Sequence, residues 1–119
     1  VELTKKNRTL TFTIAFNYGG RAEIVDAVKM LVAEGVPADK IDEKAIAKRL
    51  YDPEMPEPDL VVRTSGEFRT SNFLMWEAAY SELVFTDTLW PDFRRENLFE
   101  AVREYQARDR RFGGLSPEA

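Results

Sequence analysis

The sequence contains no cysteine and no histidine, which excludes disulfides, thiolate or imidazole nucleophiles, and zinc sites of the usual kind. Any catalysis must therefore use carboxylates, arginines, hydroxyls and backbone amides. No apolar stretch approaches the roughly 20 residues of a membrane-spanning helix, and the N-terminus lacks the apolar core of a signal peptide. These absences favour a cytoplasmic protein.

The residues that are present suit one globular domain or part of a larger one. The chain has 119 residues, of which 44% are hydrophobic and 32% charged. Its net charge of -4 argues against nucleic-acid binding, so any bound anion needs a local cluster of positive charge. The first residue is Val1, and a predicted strand follows only a few residues later. We therefore interpret the chain as a fragment.

A predicted strand and a predicted helix follow each other near the N-terminus. Residues 10–16 alternate in the manner of a strand, and from Arg21 the apolar residues take a helical period until Gly35. The pair Gly19-Gly20 between them permits a sharp turn and close backbone approach. The residues expected on the apolar face of this helix are Ile24, Val25, Val28, Leu31 and Val32.

Strands and helices are predicted to alternate along the rest of the chain. In chain order these elements are a short helix within 42–50, a buried strand over 60–64, a helix over 71–80 capped by Ser71, a strand over 83–85, and a helix from Arg95 to about Phe112 ended by Gly113-Gly114. This order predicts an α/β fold in which a largely parallel central sheet is flanked by helices.

The stretch RTSGEFRTS, residues 63–71, lies where the second predicted strand meets solvent. Ligands of parallel sheets bind beyond the carboxyl ends of the strands. Arg63 and Arg69 can point into one concavity there, joined by the Ser71 hydroxyl and by N–H groups of the helix predicted to follow. Guanidinium forks and helix N-termini both suit phosphate oxygens, so the predicted ligand is a phosphate or a diphosphate.

Acidic residues leave alternatives open at this point. Glu67 or Asp59 could hold the arginines in surface ion pairs, which contribute only about 0 to 1 kcal/mol. Glu67 could instead orient one arginine or sit near a metal. Glu82 lies among apolar residues, where a carboxylate needs a cation or hydrogen-bond donors. A divalent metal that also binds the diphosphate would meet this need, and a buried arginine would meet it equally well.

Several blocks of sequence support a family resemblance. They are FNYGGRAEI (16–24), DLVVRTSGEFRTSNFLMW (59–76), YSEL (80–83) and FTDTLWPDF (85–93). These blocks resemble the C-terminal half of a cis-prenyltransferase of the undecaprenyl (isoprenyl) diphosphate synthase family. The match runs over about residues 10–114 in the right order.

The resemblance implies an enzyme that condenses isopentenyl diphosphate with an allylic prenyl diphosphate, forms a cis-polyprenyl diphosphate and releases diphosphate, with Mg²⁺ as cofactor. On the family pattern, the residues that grip isopentenyl diphosphate are Arg63, Arg69 and Ser71, with Thr70 beside them and Glu67 in support, while Glu82 serves the magnesium. The closing motif at 111–114, which includes Arg111 and Gly113, would reach the diphosphate site of the second subunit of a homodimer. Ordinary helix termination also explains that motif.

The resemblance further implies that residues 1–119 are the C-terminal part of a single catalytic domain. The N-terminal half, with the aspartate and glycine-rich loop for the allylic diphosphate, would be supplied elsewhere. No nucleic-acid partner is expected, and a peripheral membrane contact through the lipid product stays open. Two other classes remain as alternatives: a non-catalytic partner subunit of a prenyltransferase, and an unrelated phosphate-binding module.

Overall fold

Helices and strands alternate in the structure, a computed structural model that describes residues 2–110. In chain order the elements are α1 (Gly20–Ala33), α2 (Glu43–Ala47), β1 (Leu60–Arg63), β2 (Glu82–Phe85) and α3 (Arg95–Gln106). None of the helices within residues 2–110 combines the length and the apolar character that a bilayer crossing requires.

Strands β1 and β2 pair in parallel, with Leu60 opposite Glu82 and Arg63 opposite Phe85. The strands predicted over 60–64 and 83–85 are confirmed to within one residue at each end. Because parallel strands end at the same edge of a sheet, the loops that follow Arg63 and Phe85 lie side by side. This edge carries the site described below.

Helix α1 confirms the predicted helix, and Leu31 is buried as predicted, but the rest of the buried face differs from the predicted one. The residues that it buries are Gly20, Glu23, Ala27 and Leu31. Val25 and Val32, which the sequence places on the apolar face, are 51% and 68% exposed, and Val28 is exposed as well. The reason is that Tyr51 and Met75 contact the opposite side of the helix, at Glu23 and Gly20.

The other two helices are confirmed with altered ends. Helix α2 begins after Asp42, whose Oδ1 accepts the N–H of Ala45 at 2.7 Å. Helix α3 begins where the Arg94 N–H donates to Asn97 Oδ1 at 2.8 Å, and it ends at Gln106 rather than near residue 112. The glycines that were predicted to end α3 lie outside the described residues.

The strand predicted over residues 10–16 is wrong for this structure. Leu10, Phe12, Ile14 and Phe16 are between 73% and 92% exposed, and within residues 2–110 the only sheet is the β1–β2 pair. A strand needs a neighbour for its backbone hydrogen bonds. The described residues offer none here, so the segment stays irregular in spite of its alternating pattern.

The helix predicted over residues 71–80 is also wrong. Ser71, Asn72 and Leu74 have φ angles of 50°, 65° and 46°, in the left-handed region that a right-handed helix excludes. A series of turns replaces the helix, and hydrogen bonds such as Ala78 N–H to Leu74 O, at 2.9 Å, hold it. Ser71 therefore caps no helix.

Candidate active site

The loop after β1 is tied to the loop after β2. Ser65 and Gly66 have φ angles of 68° and 65°, and their N–H groups donate to Thr88 O and Thr86 O at 2.9 and 3.0 Å. A Cβ at Gly66 would come within 3.1 Å of Asp87 Oδ1, so glycine allows the close approach. This turn sends the chain back over the carboxyl edge of the sheet.

Glu67 joins the two arginines of this loop. Its Oε2 lies 4.0 Å from Arg63 Nη2 and also pairs with the Arg69 guanidinium. Asp59 instead pairs with Arg110 at 2.6 Å, so of the two carboxylates considered from the sequence it is Glu67 that holds both guanidinium groups. The Arg69 side chain remains 66% exposed, which leaves its N–H donors open to a ligand.

A cavity of about 570 Å³ lies beside these charges. Its polar wall comes from Arg63, Glu67, Arg69 and Thr70, and its apolar wall includes Phe73, Leu83, Phe85 and Trp90. This volume is typical of small-molecule sites. A cavity with guanidinium groups on one side and aromatic rings on the other suits an anion attached to a short hydrocarbon.

Ser71 does not join this cluster. It follows Thr70 in the chain, but its side chain is exposed and lies outside the cavity wall. Arg111 and Gly113, also predicted to bind substrate, lie outside the described residues. The structure thus brings Arg63, Glu67, Arg69 and Thr70 together.

Glu82 lies at the other end of the sheet. It is the first residue of β2 and stands opposite Leu60, whereas Arg63 stands at the carboxyl edge. Its half-buried Oε2 accepts from Arg108 Nη1 at 2.9 Å, which is the arginine partner that the sequence left as an alternative to a metal. Within residues 2–110, no three carboxylates cluster in a way that could hold a metal ion.

Sequence reasoning missed the aromatic members of the cavity wall. Phe73 falls in the segment that was read as a helix, where its direction could not be inferred. Trp90, however, follows the end of β2 by only a few residues, and residues that follow parallel strands gather at the carboxyl edge. That signal was available.

A buried polar cluster lies between α1 and the turns of 71–80. Glu23 is 1% exposed and accepts hydrogen bonds from the Tyr18 hydroxyl and, at 2.8 Å, from the Tyr51 N–H. Glu77 is buried beside it. Burial raises the pKa of the Glu77 carboxyl, and the charge of Glu23 raises this pKa further. Burial, with the hydrogen bond to Glu23 second, also raises the pKa of the Tyr18 hydroxyl.

Glu77→Gln is expected to change how stability depends on pH. A raised pKa means that the folded state holds this proton more tightly, so the stabilisation is complete below the ordinary glutamate pKa and is lost as pH rises through the pKa of folded Glu77. Glutamine keeps the shape and a donor but cannot ionise. Urea unfolding over a pH series should show the free energy of unfolding of the variant increasing relative to that of the parent as pH rises. If the free energy of unfolding changed with pH in the same way for both proteins, the prediction would be contradicted.

The fold and the site together define a class of protein: an α/β domain whose parallel strands end at a cavity with arginines on one wall and aromatic rings on another. A family model described as putative undecaprenyl diphosphate synthase matches residues 1–113.

Relatives and solved structures agree with that match. Isoprenyl transferase 1 of Streptomyces coelicolor is 55% identical over 98% of this chain and 43% of its own length. Isoprenyl transferase of Thermotoga maritima is 50% identical over 96% of this chain and 50% of its own length. A crystal structure of lavandulyl diphosphate synthase from Lavandula x intermedia, in complex with dimethylallyl diphosphate, superposes with a TM-score of 0.87 and 36% identity, over 94% of this chain and 50% of that one.

The chain therefore belongs to the undecaprenyl diphosphate synthase family of prenyltransferases. It spans about half the length of the relatives that it matches. The family membership confirms the resemblance seen in the sequence, and the solved structures confirm the α/β fold class.

Proposed function

We propose that this chain carries the isopentenyl diphosphate-binding half of a cis-prenyltransferase, which condenses isopentenyl diphosphate with an allylic prenyl diphosphate to form a cis-polyprenyl diphosphate. The observation that carries the proposal is the pairing of Arg63 and Arg69 through Glu67 at the polar wall of a 570 Å³ cavity whose other wall is apolar. Family membership supports the same reaction.

The proposed roles follow from charge and shape. The guanidinium groups of Arg63 and Arg69 present parallel N–H donors to diphosphate oxygens, and Thr70 offers a hydroxyl beside them. The carboxylate of Glu67 limits the motion of both guanidinium groups before substrate arrives. The hydrocarbon of isopentenyl diphosphate then lies against Phe73 and Trp90.

Arginines at this position also serve the chemical step. When an allylic diphosphate leaves, negative charge grows on its oxygens and positive charge grows on carbon. The cationic wall fixes the isopentenyl group by its diphosphate, so that its double bond can face the developing carbocation. Once the rest of the enzyme covers the apolar wall, that wall would keep away water, which would otherwise capture the cation.

We propose Mg²⁺ as the cofactor of the whole enzyme, on the strength of the family resemblance. The residues described in this chain do not form a site for it by themselves, because Glu82 is paired with Arg108 and no group of three carboxylates that could hold a metal occurs within residues 2–110. The remaining ligands would have to come from diphosphate oxygens and from other parts of the enzyme. When bound, the metal would neutralise diphosphate charge.

We propose two protein partners as well: the remainder of the family fold and a second copy of the enzyme. The exposed apolar side chains of residues 10–16 and of Val25, Val28 and Val32 on α1 support a covering partner, because soluble surfaces seldom leave so much apolar area open. An added strand would pair with residues 10–16 and supply their missing hydrogen bonds. The homodimer rests on the resemblance alone.

The reaction is tested in the intact protein, meaning this chain together with the remainder of the family fold. Incubation with labelled isopentenyl diphosphate, farnesyl diphosphate and Mg²⁺ is expected to yield radiolabelled products longer than farnesyl, and omission of either farnesyl diphosphate or Mg²⁺ should abolish them. A non-catalytic subunit would give no elongated product under any of these conditions. That result would overturn the proposed reaction.

A further inference from the structure

Asn72 connects residues 63–71, the arginine loop, to helix α1. It follows Ser71 directly, and its backbone O accepts the N–H of Gly20 at 2.8 Å. Its side-chain Oδ1 accepts the N–H of Arg21 at 2.9 Å. Two consecutive N–H groups at the start of α1 are therefore satisfied by one residue that lies 51 positions away in the sequence.

Helix α1 has no side-chain cap of its own. The residue before it is Gly19, which contributes no side-chain acceptor to the exposed N–H groups of the first turn. Asn72 performs that function from a distance. The approach is close, because a Cβ at Gly19 would come within 3.0 Å of Asn72 Nδ2.

The local backbone conformation also favours asparagine. Ser71 and Asn72 have φ angles of 50° and 65°, and the Phe73 N–H donates to Thr70 O at 3.0 Å. Positive φ at both central residues of such a turn is the type I′ geometry, which asparagine tolerates better than most residues. Thr70, at the first position of this turn, already belongs to the cavity wall.

We propose that Asn72 is a positioning residue for diphosphate binding: by capping α1 with both of its oxygens, it fixes the turn that holds Thr70 and Arg69 at the cavity. The proposal rests on the proposed function for the identity of the ligand. It assigns to Asn72 no contact with substrate. Its effect on affinity passes through the placement of Arg69, whose side chain is otherwise held by the ion pair with Glu67.

Three variants of the intact protein separate the cap from the turn. Asn72→Gly keeps the positive φ but removes Oδ1, and Asn72→Asp keeps an acceptor for the Arg21 N–H. Asp42→Ala is the matched control, because it deletes the cap of α2, a helix that contributes no residue to the cavity wall. Inorganic pyrophosphate binding is measured by calorimetry, with thermal unfolding and steady-state kinetics alongside.

Asn72→Gly is expected to weaken pyrophosphate binding and to raise KM for isopentenyl diphosphate by roughly fivefold to tenfold, while KM for the allylic substrate stays within about twofold. Asn72→Asp should recover most of the loss. Asp42→Ala should lower the melting temperature without changing pyrophosphate affinity. Unchanged affinity in Asn72→Gly, or an equal loss in Asp42→Ala, would overturn the positioning role.

The pyrophosphate measurement keeps this inference separate from the proposed reaction. If the parent protein makes no elongated product but binds pyrophosphate, the proposed reaction is overturned. The comparison of variants then still decides the role of Asn72. If the parent binds no pyrophosphate, the positioning role fails with it.

Discussion

Arg69→Ala in the intact protein should weaken the binding of isopentenyl diphosphate by roughly 30- to 150-fold, which corresponds to about 2 to 3 kcal/mol. Two guanidinium groups and one carboxylate give the cluster of Arg63, Glu67 and Arg69 a net charge of +1, and the substitution reduces it to zero. Glu67 then keeps only Arg63, at 4.0 Å, and its negative charge faces the incoming diphosphate. Steady-state kinetics and calorimetry with isopentenyl diphosphate provide the measurement.

Controls separate charge from geometry. Arg95→Ala removes an arginine that is 76% exposed at the start of α3 and pairs with Glu96, and it should leave KM unchanged. Arg69→Lys keeps the charge but loses the planar fork, so an intermediate affinity is expected. Adding Glu67→Gln to Arg69→Ala should restore part of the affinity. A KM for Arg69→Ala equal to that of the parent would remove Arg69 from the site.

The second large effect is expected from Gly20→Ala, which should lower the free energy of unfolding by about 1 to 3 kcal/mol. A Cβ at Gly20 would lie 2.9 Å from both the backbone N and the Cγ of Met75. Backbone atoms cannot move aside cheaply, so this clash outweighs the helix propensity that alanine adds, which is at most about 1 kcal/mol. Denaturant unfolding of the intact protein measures the change.

Gly19→Ala is the matched comparison. Its Cβ would meet only the end of the Asn72 side chain, at 3.0 Å, and that end can rotate. The loss of stability should therefore be clearly smaller than for Gly20→Ala. Equal losses of stability for the two variants would mean that the clash with Met75 does not determine the destabilisation by Gly20→Ala.

The position of the arginine loop could be predicted from the sequence because it depends only on local features. An apolar run followed at once by Arg63, and by Arg69 six positions later, fixes which edge of a parallel sheet they occupy. The same rule applied to Glu82 places it at the opposite edge, since it begins its strand.

The two failed elements depend on partners that no local pattern reveals. Residues 71–80 have the composition of a helix, but their turns are fixed by contacts with α1 through Asn72 and Met75. Residues 10–16 have the pattern of a strand and lack a neighbour among the described residues. In both cases tertiary contacts decide the backbone conformation over local propensity.

The exposed segment at residues 10–16 has a further consequence for how the family fold must assemble. LTFTIAF contains no charge, no proline and no glycine, and it is rich in β-branched and aromatic residues. Such heptapeptides stack readily into cross-β fibrils when they are left uncovered. On the proposed function, docking of the rest of the family fold over this segment would protect the chain from aggregation, and Lys5, Lys6 and Arg8 are the flanking charges that would oppose self-association before docking.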